Sequence, residues 1–136
     1  MKLKEVLIID DSDADLLYAS VILEGAQVAE QVIPFGTAAE ALAFLQRPEG
    51  HDADVILLDI NMPEMNGFEF LDAYEKLHAD HRARAVVIML TTSPDPVDRA
   101  RALAYPCVRS YVVKPIDVPA AQSLLGVIDG VRGEPS

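Results

Sequence analysis

Short runs of apolar residues, continuous and not alternating, recur along the chain, and each is followed by a stretch with helical spacing. They are Val6 to Ile9, a weaker run from Val28 to Ile33, Val55 to Leu58, Ala85 to Leu90, and Tyr111 to Val113. A strand with one face in water alternates apolar and polar side chains, whereas a strand covered on both faces need not. The pattern predicts parallel strands enclosed by helices. Helices are expected near residues 13–24, 37–47, 67–78, 96–104 and 117–129. Thr37 suits the N-cap of the second helix, and Asp95 ahead of Pro96 places a cap before a first-turn proline. Gly25 offers a left-handed stop for the first helix.

A chain of 136 residues with 51% hydrophobic content holds one well-buried domain. The expected domain spans residues 1–132, with 133–136 a loose tail. The formal net charge of -11 comes from 22 acidic and 11 basic residues. It argues against direct binding to nucleic acid, which needs Lys and Arg concentrated on one face. Cys107 stands alone, so no intrachain disulfide forms. The start MKLKEVLIIDD lacks the long apolar core of a secretion signal. No apolar run approaches the roughly 18 residues that a bilayer requires. These features predict a cytoplasmic chain without membrane insertion. His51, His78 and His81 lack metal-ligand spacing and read as surface residues.

Repeated βα units give a doubly wound α/β sheet, whose ligands lie outside the carboxyl ends of the strands. Asp10 and Asp11 follow the first strand in VLIIDDSDADLL, and Asp59 follows the third in VILLDINMPEMNG. In strand order 2-1-3-4-5 those strands are neighbours, so three carboxylates converge. At about 5 Å and an effective dielectric near 20, each pair repels by roughly 3 kcal/mol, or on the order of 10 kcal/mol for three pairs. A hard divalent cation such as Mg²⁺ relieves this, because it accepts one or two carboxylates, a carbonyl and waters. Thr91 and Lys114, at the ends of the fourth and fifth runs, bring a hydroxyl and an ammonium to the same edge. Such a site suits a charged, oxygen-rich ligand, with Asp59 a reasonable nucleophile towards phosphorus. Plainer readings exist: Asp10 and Asp11 as helix caps, Thr91 as an ordinary strand end, Lys114 as a solvated charge and Tyr111 as a packed strand residue.

The set of DD at 10–11, D-x-x-M-P-x-x-x-G from Asp59 to Gly67, Thr91 and the K-P pair at 114–115 resembles the receiver domain of two-component response regulators, of the stand-alone type. The resemblance implies a flavodoxin-like (βα)5 fold of order 2-1-3-4-5. It implies that Asp59 accepts a phosphoryl group from a phosphohistidine on a sensor histidine kinase or phosphotransfer protein. It also implies Mg²⁺ held by Asp11, Asp59 and the backbone carbonyl of Asn61, with Asp10 acting largely through water. Thr91 and Lys114 would contact phosphoryl oxygens, Tyr111 would change rotamer with Thr91, and the Lys114–Pro115 bond would be cis. Such a chain catalyses only its own phosphorylation and dephosphorylation. Two positions depart from the common pattern: Thr92, where alanine or glycine is usual, and Pro106, in a connection that is often glycine-rich.

Only GVRGEPS follows Asp129, so the expected output is contact with a downstream protein or onward phosphotransfer. The fourth helix, last strand and last helix form the expected partner or homodimer face. Three alternatives remain: a phosphorelay intermediate, an aspartyl-phosphate hydrolase and a flavodoxin-like electron carrier. The hydrolase is weakened because DIN at 59–61 lacks the second aspartate of a DxD motif. The electron carrier is weakened because no strand leads into a Ser/Thr/Gly-rich phosphate loop.

Overall fold

The computed structural model describes residues 2–77, 86–92 and 94–132, with the backbone alone for Val86 and for 127–132. The elements are β1 (Leu3–Ile9), α1 (Asp13–Ala26), β2 (Ala29–Phe35), α2 (Ala38–Leu45), β3 (Ala53–Leu58), α3 (Gly67–Glu75), β4 (Val86–Thr91), α4 (Pro96–Leu103), β5 (Val108–Val113) and α5 (Val118–Arg132). The strands form one parallel sheet in the order β2-β1-β3-β4-β5. The expected flavodoxin-like (βα)5 architecture is therefore present. No helix among the described residues is long and apolar enough to cross a membrane.

The continuous apolar runs have the cause inferred for them. Every residue of β3 is buried, because successive side chains point to opposite faces and both faces are covered. Leu7, Ile9, Ile56, Leu58, Val87 and Met89 pack on one face with residues of α2 and α3, such as Leu45, Phe70 and Leu71. Val6, Ile8, Val55, Leu57, Ile88 and Leu90 pack on the other with Leu16 and Leu23 of α1 and Ala121 and Leu124 of α5. The weaker second run is explained by position. β2 lies at the sheet edge, where Glu30, Gln31 and Pro34 are exposed and a proline is tolerated.

Several boundaries differ from expectation. Helix α1 does not stop at Gly25 but continues through Ala26, and Gln27 takes the left-handed cap at φ 57 with its N–H bonded to the Glu24 carbonyl. The extra residues let Ala26 pack against the core and lead straight into buried Val28, which offsets a conformation costing roughly 1–2 kcal/mol. Strand β5 begins at Val108, before the apolar run, because Arg109 and Ser110 sit on an edge strand with one side open. Thr91 belongs to β4 and does not follow it. Helix α3 closes at Glu75 with Lys76 as its cap. His78, His81, Ala85 at the head of the fourth apolar run and the 133–136 tail lie outside the described residues.

The register shifts between Glu5 and Val6, leaving Asp54 as an extra residue between Ala53 and Val55. Its carboxylate is buried and accepts the Lys4 N–H at 2.8 Å, a donor that the bulge would otherwise leave without its ladder partner.

Candidate functional site

The backbone of the site is held by ladder bonds that continue past the strand ends. The Asp10 N–H donates to the Phe35 carbonyl of β2 at 3.1 Å, Asp59 to the Ile9 carbonyl of β1 at 3.0 Å, and Lys114 to the Thr91 carbonyl of β4 at 2.8 Å. Each residue is thereby fixed to the neighbouring strand, and all of them stand at one edge of the sheet. The Lys114–Pro115 peptide bond is cis.

Asp10, Asp11 and Asp59 each offer a carboxylate oxygen within 4.8 Å of the others. Asp10 and Asp59 are buried and Asp11 is exposed. The capping alternative for the first two is displaced by Ser12, which is the N-cap of α1 and accepts the Asp15 N–H at 3.2 Å. Asp10 instead accepts the Ser12 N–H at 3.0 Å. One oxygen of Asp59, Oδ1, accepts the Ile60 N–H at 2.9 Å, while Oδ2 faces Lys114 Nζ at 3.6 Å.

Gly67 explains the far end of the motif. Its N–H donates to the Ile60 carbonyl at 2.8 Å, and a Cβ built there would lie 2.5 Å from the Asp59 carbonyl oxygen. Helix α3 therefore starts against the backbone that carries Asp59. Asn66 caps it, accepting from the Glu69 N–H, while the Glu69 side chain accepts from the Asn66 N–H, both at 2.9 Å, a reciprocal capping box. Asn61 lies exposed between β3 and α3.

Lys114 is mostly buried and bonded to Asp10, with Asp15 Oδ2 at 2.9 Å as a further partner. Burial alone would push its pKa down, but hydrogen bonds to Asp10 and Asp15 and the charges of Asp59 and Asp10 outweigh it, so the pKa stands above 10.5. For Asp10 burial pushes the pKa up from 3.8, and the bonds from Lys114 and Ser12 recover only part of that. The lysine stays charged while Asp10 beside it holds a proton more tightly than usual. The site is thus short of positive charge. Three clustered carboxylates are hard oxygen donors, and their separation suits a divalent cation that keeps several waters; the residues present fit Mg²⁺.

Thr91 is fully buried at the end of β4. Tyr111 is buried on β5, with the Arg99 guanidinium 5.7 Å from its ring centre. Asp15 was not anticipated as part of the site. The available signal was its place in the first turn of the helix that Asp10 and Asp11 introduce. His51 accepts the Ala53 N–H at 3.1 Å, and Cys107 is half-buried and in no disulfide.

The sequence profile of the response regulator receiver domain matches residues 6–125. The chain is 33% identical over 129 residues to protein PilH of Pseudomonas aeruginosa, covering 93% of this chain and 95% of PilH. It spans 25% of the length of another curated relative, to which it is 30% identical over 118 residues. Among solved structures, a two-component response regulator from Cytophaga hutchinsonii superposes with a TM-score of 0.83 at 29% identity, covering 94% of this chain and 98% of that one. The bacteriophytochrome response regulator AtBRR gives 0.76 at 29% identity, covering 100% and 99%.

Proposed function

Because the chain belongs to the response regulator receiver domain family, we propose that Asp59 is its phosphoacceptor and that phosphorylation there switches a protein-binding surface. The observation that carries this reading is the pairing of Asp59 Oδ2 with Lys114 Nζ at 3.6 Å inside the Asp10, Asp11 and Asp59 cluster. Oδ2 is the carboxylate oxygen that the Ile60 N–H leaves available. It attacks the phosphorus of a phosphohistidine on a sensor histidine kinase or phosphotransfer protein. An O–P bond forms, the P–N bond breaks, and its electron pair leaves with the imidazole, which takes a proton from solvent. Mg²⁺ held by Asp11, Asp59 and the Asn61 carbonyl, with Asp10 behind it, would neutralise charge on the transferring group.

The chain's own residues do the rest. Lys114 stabilises one phosphoryl oxygen and the Thr91 hydroxyl bonds another. The ladder bonds under Asp10, Asp59 and Lys114 fix their backbone to the neighbouring strands. Thr91 moves inwards with the phosphoryl charge, Tyr111 follows it, and the surface of α4, β5 and α5 changes. That surface receives a downstream protein or a second copy of the chain. Attack by water on phosphorus releases inorganic phosphate and restores Asp59, so the chain acts on its own phosphoryl group and is not an enzyme for a separate substrate. A cytoplasmic setting, with one domain over residues 1–132, completes the reading.

Incubation with acetyl phosphate and Mg²⁺, followed by intact mass measurement, tests it. One phosphoryl group is expected, absent from Asp59→Asn and from Asp11→Ala. A label that survives Asp59→Asn contradicts the assignment of Asp59, and unchanged labelling of Asp11→Ala contradicts the metal role.

A further inference from the structure

Lys114 has three N–H bonds to give and three carboxylates around it, those of Asp10, Asp15 and Asp59. These acceptors differ in what they lose if the lysine leaves. The side chains of Asp10 and Asp59 are 4% and 7% exposed, whereas that of Asp15 is 44% exposed. A buried carboxylate deprived of its cation pays a desolvation penalty, but a half-exposed one is rehydrated. Asp15 is therefore the partner that Lys114 gives up at least cost. It is also the one of the three on a helix, in the first turn of α1, and it lines with Lys114, Leu90 and Pro115 a small cavity of about 40 Å³.

We infer that Asp15 is a positioning residue that draws the Lys114 ammonium towards α1 in the unphosphorylated chain and yields it when a phosphoryl group on Asp59 presents new oxygens. Phosphoryl occupancy then reflects a competition for one cation between Asp15 and the phosphoryl group. A ligand shifts such an equilibrium only by its differential affinity for the two arrangements. Removing Asp15 abolishes the competitor and makes the phosphorylated arrangement easier to reach. The inference rests on Asp59 as phosphoacceptor.

The test uses the full chain with Mg²⁺ and beryllofluoride as the phosphoryl mimic, with affinity read by fluorine NMR. Asp15→Ala and Asp15→Asn are expected to bind the mimic about two- to fivefold more tightly, the size of a partly exposed ion pair, and Asp15→Glu to return towards wild type. In a Lys114→Gln background the same substitutions are expected to have no effect. A second reading needs no mimic: the ammonium resonance of Lys114, slowed in proton exchange by its carboxylates, is expected to weaken in ligand-free Asp15→Ala. Unchanged or weaker binding in both Asp15 variants overturns the inference. So does equal tightening without Lys114, which would mean a charge acting at a distance, and so does an unaltered ammonium resonance. A wild type that binds the mimic but ignores Asp15 refutes this inference alone, whereas a wild type that binds no mimic refutes the phosphoacceptor reading as well.

Discussion

Asp59 owes its position to a residue with no side chain. The approach of α3 to the Asp59 carbonyl leaves 2.5 Å for any Cβ at residue 67, with the Ile60 Cα at 2.9 Å, and both obstacles are backbone that cannot rotate away. Gly67→Ala is expected to destabilise the fold by roughly 1–3 kcal/mol, as overpacking does. It should also slow phosphorylation on the order of 10- to 100-fold, because the reacting oxygen is displaced. Denaturant unfolding and acetyl phosphate labelling check both; wild-type rates with a stable fold would contradict the proposed coupling. At this scale Asp10, Asp11, Asp59, Thr91 and Lys114 could be read from the sequence because they end apolar runs, and a strand end in a doubly wound sheet has a known direction. Asp15 could not. It lies in a helix whose rotation relative to Lys114 depends on how α1 packs on the sheet, and an acidic first turn has an ordinary explanation in the helix dipole.

Helix α3, which starts against the Asp59 backbone, is tied along its length to α4 and to the chain before β5. The Tyr105 hydroxyl, before β5, donates to Asp72 of α3 at 2.7 Å, and the Cys107 N–H donates to Glu75 at 3.3 Å. Arg101 of α4 stacks over Phe68 of α3 at 3.9 Å. The bond to Asp72, then partial burial, favours the protonated phenol and raises the Tyr105 pKa above 10.0. Its stabilisation is therefore complete below pH 10.0 and disappears as pH rises through the higher folded value. Tyr105→Phe is expected to cost about 1 kcal/mol at neutral pH, with the gap to wild type closing in alkaline solution; a gap independent of pH would contradict this. Long-range ties of this kind left no mark in the sequence. The strands were legible where both faces are covered, as in β3, and blurred in β2 and β5, where an edge admits polar residues. Helix α1 runs past Gly25 because packing of Ala26 outweighs the convenience of a glycine stop.

At the scale of the whole molecule, four carboxylates gather at the carboxyl ends of the strands, two of them, Asp10 and Asp59, buried. Asp10, Asp15 and Asp59 face the Lys114 ammonium and Asp11 joins Asp10 and Asp59 in the cluster, a formal charge of four negatives and one positive among these five residues, in a chain already at -11. Removing any one carboxylate would relax this repulsion. Its persistence at the strand ends, held by ladder bonds from three strands, is what a cation-dependent phosphoryl site requires and what a folding core does not. Trapping the acyl phosphate tests that claim most directly. The protein is treated with acetyl phosphate and Mg²⁺, reduced with borohydride, which converts an aspartyl phosphate to homoserine, and sequenced by tandem mass spectrometry. Homoserine is expected at residue 59 alone and only when Mg²⁺ is present. Homoserine at another aspartate, or equal conversion of residue 59 without divalent cation, would contradict the account.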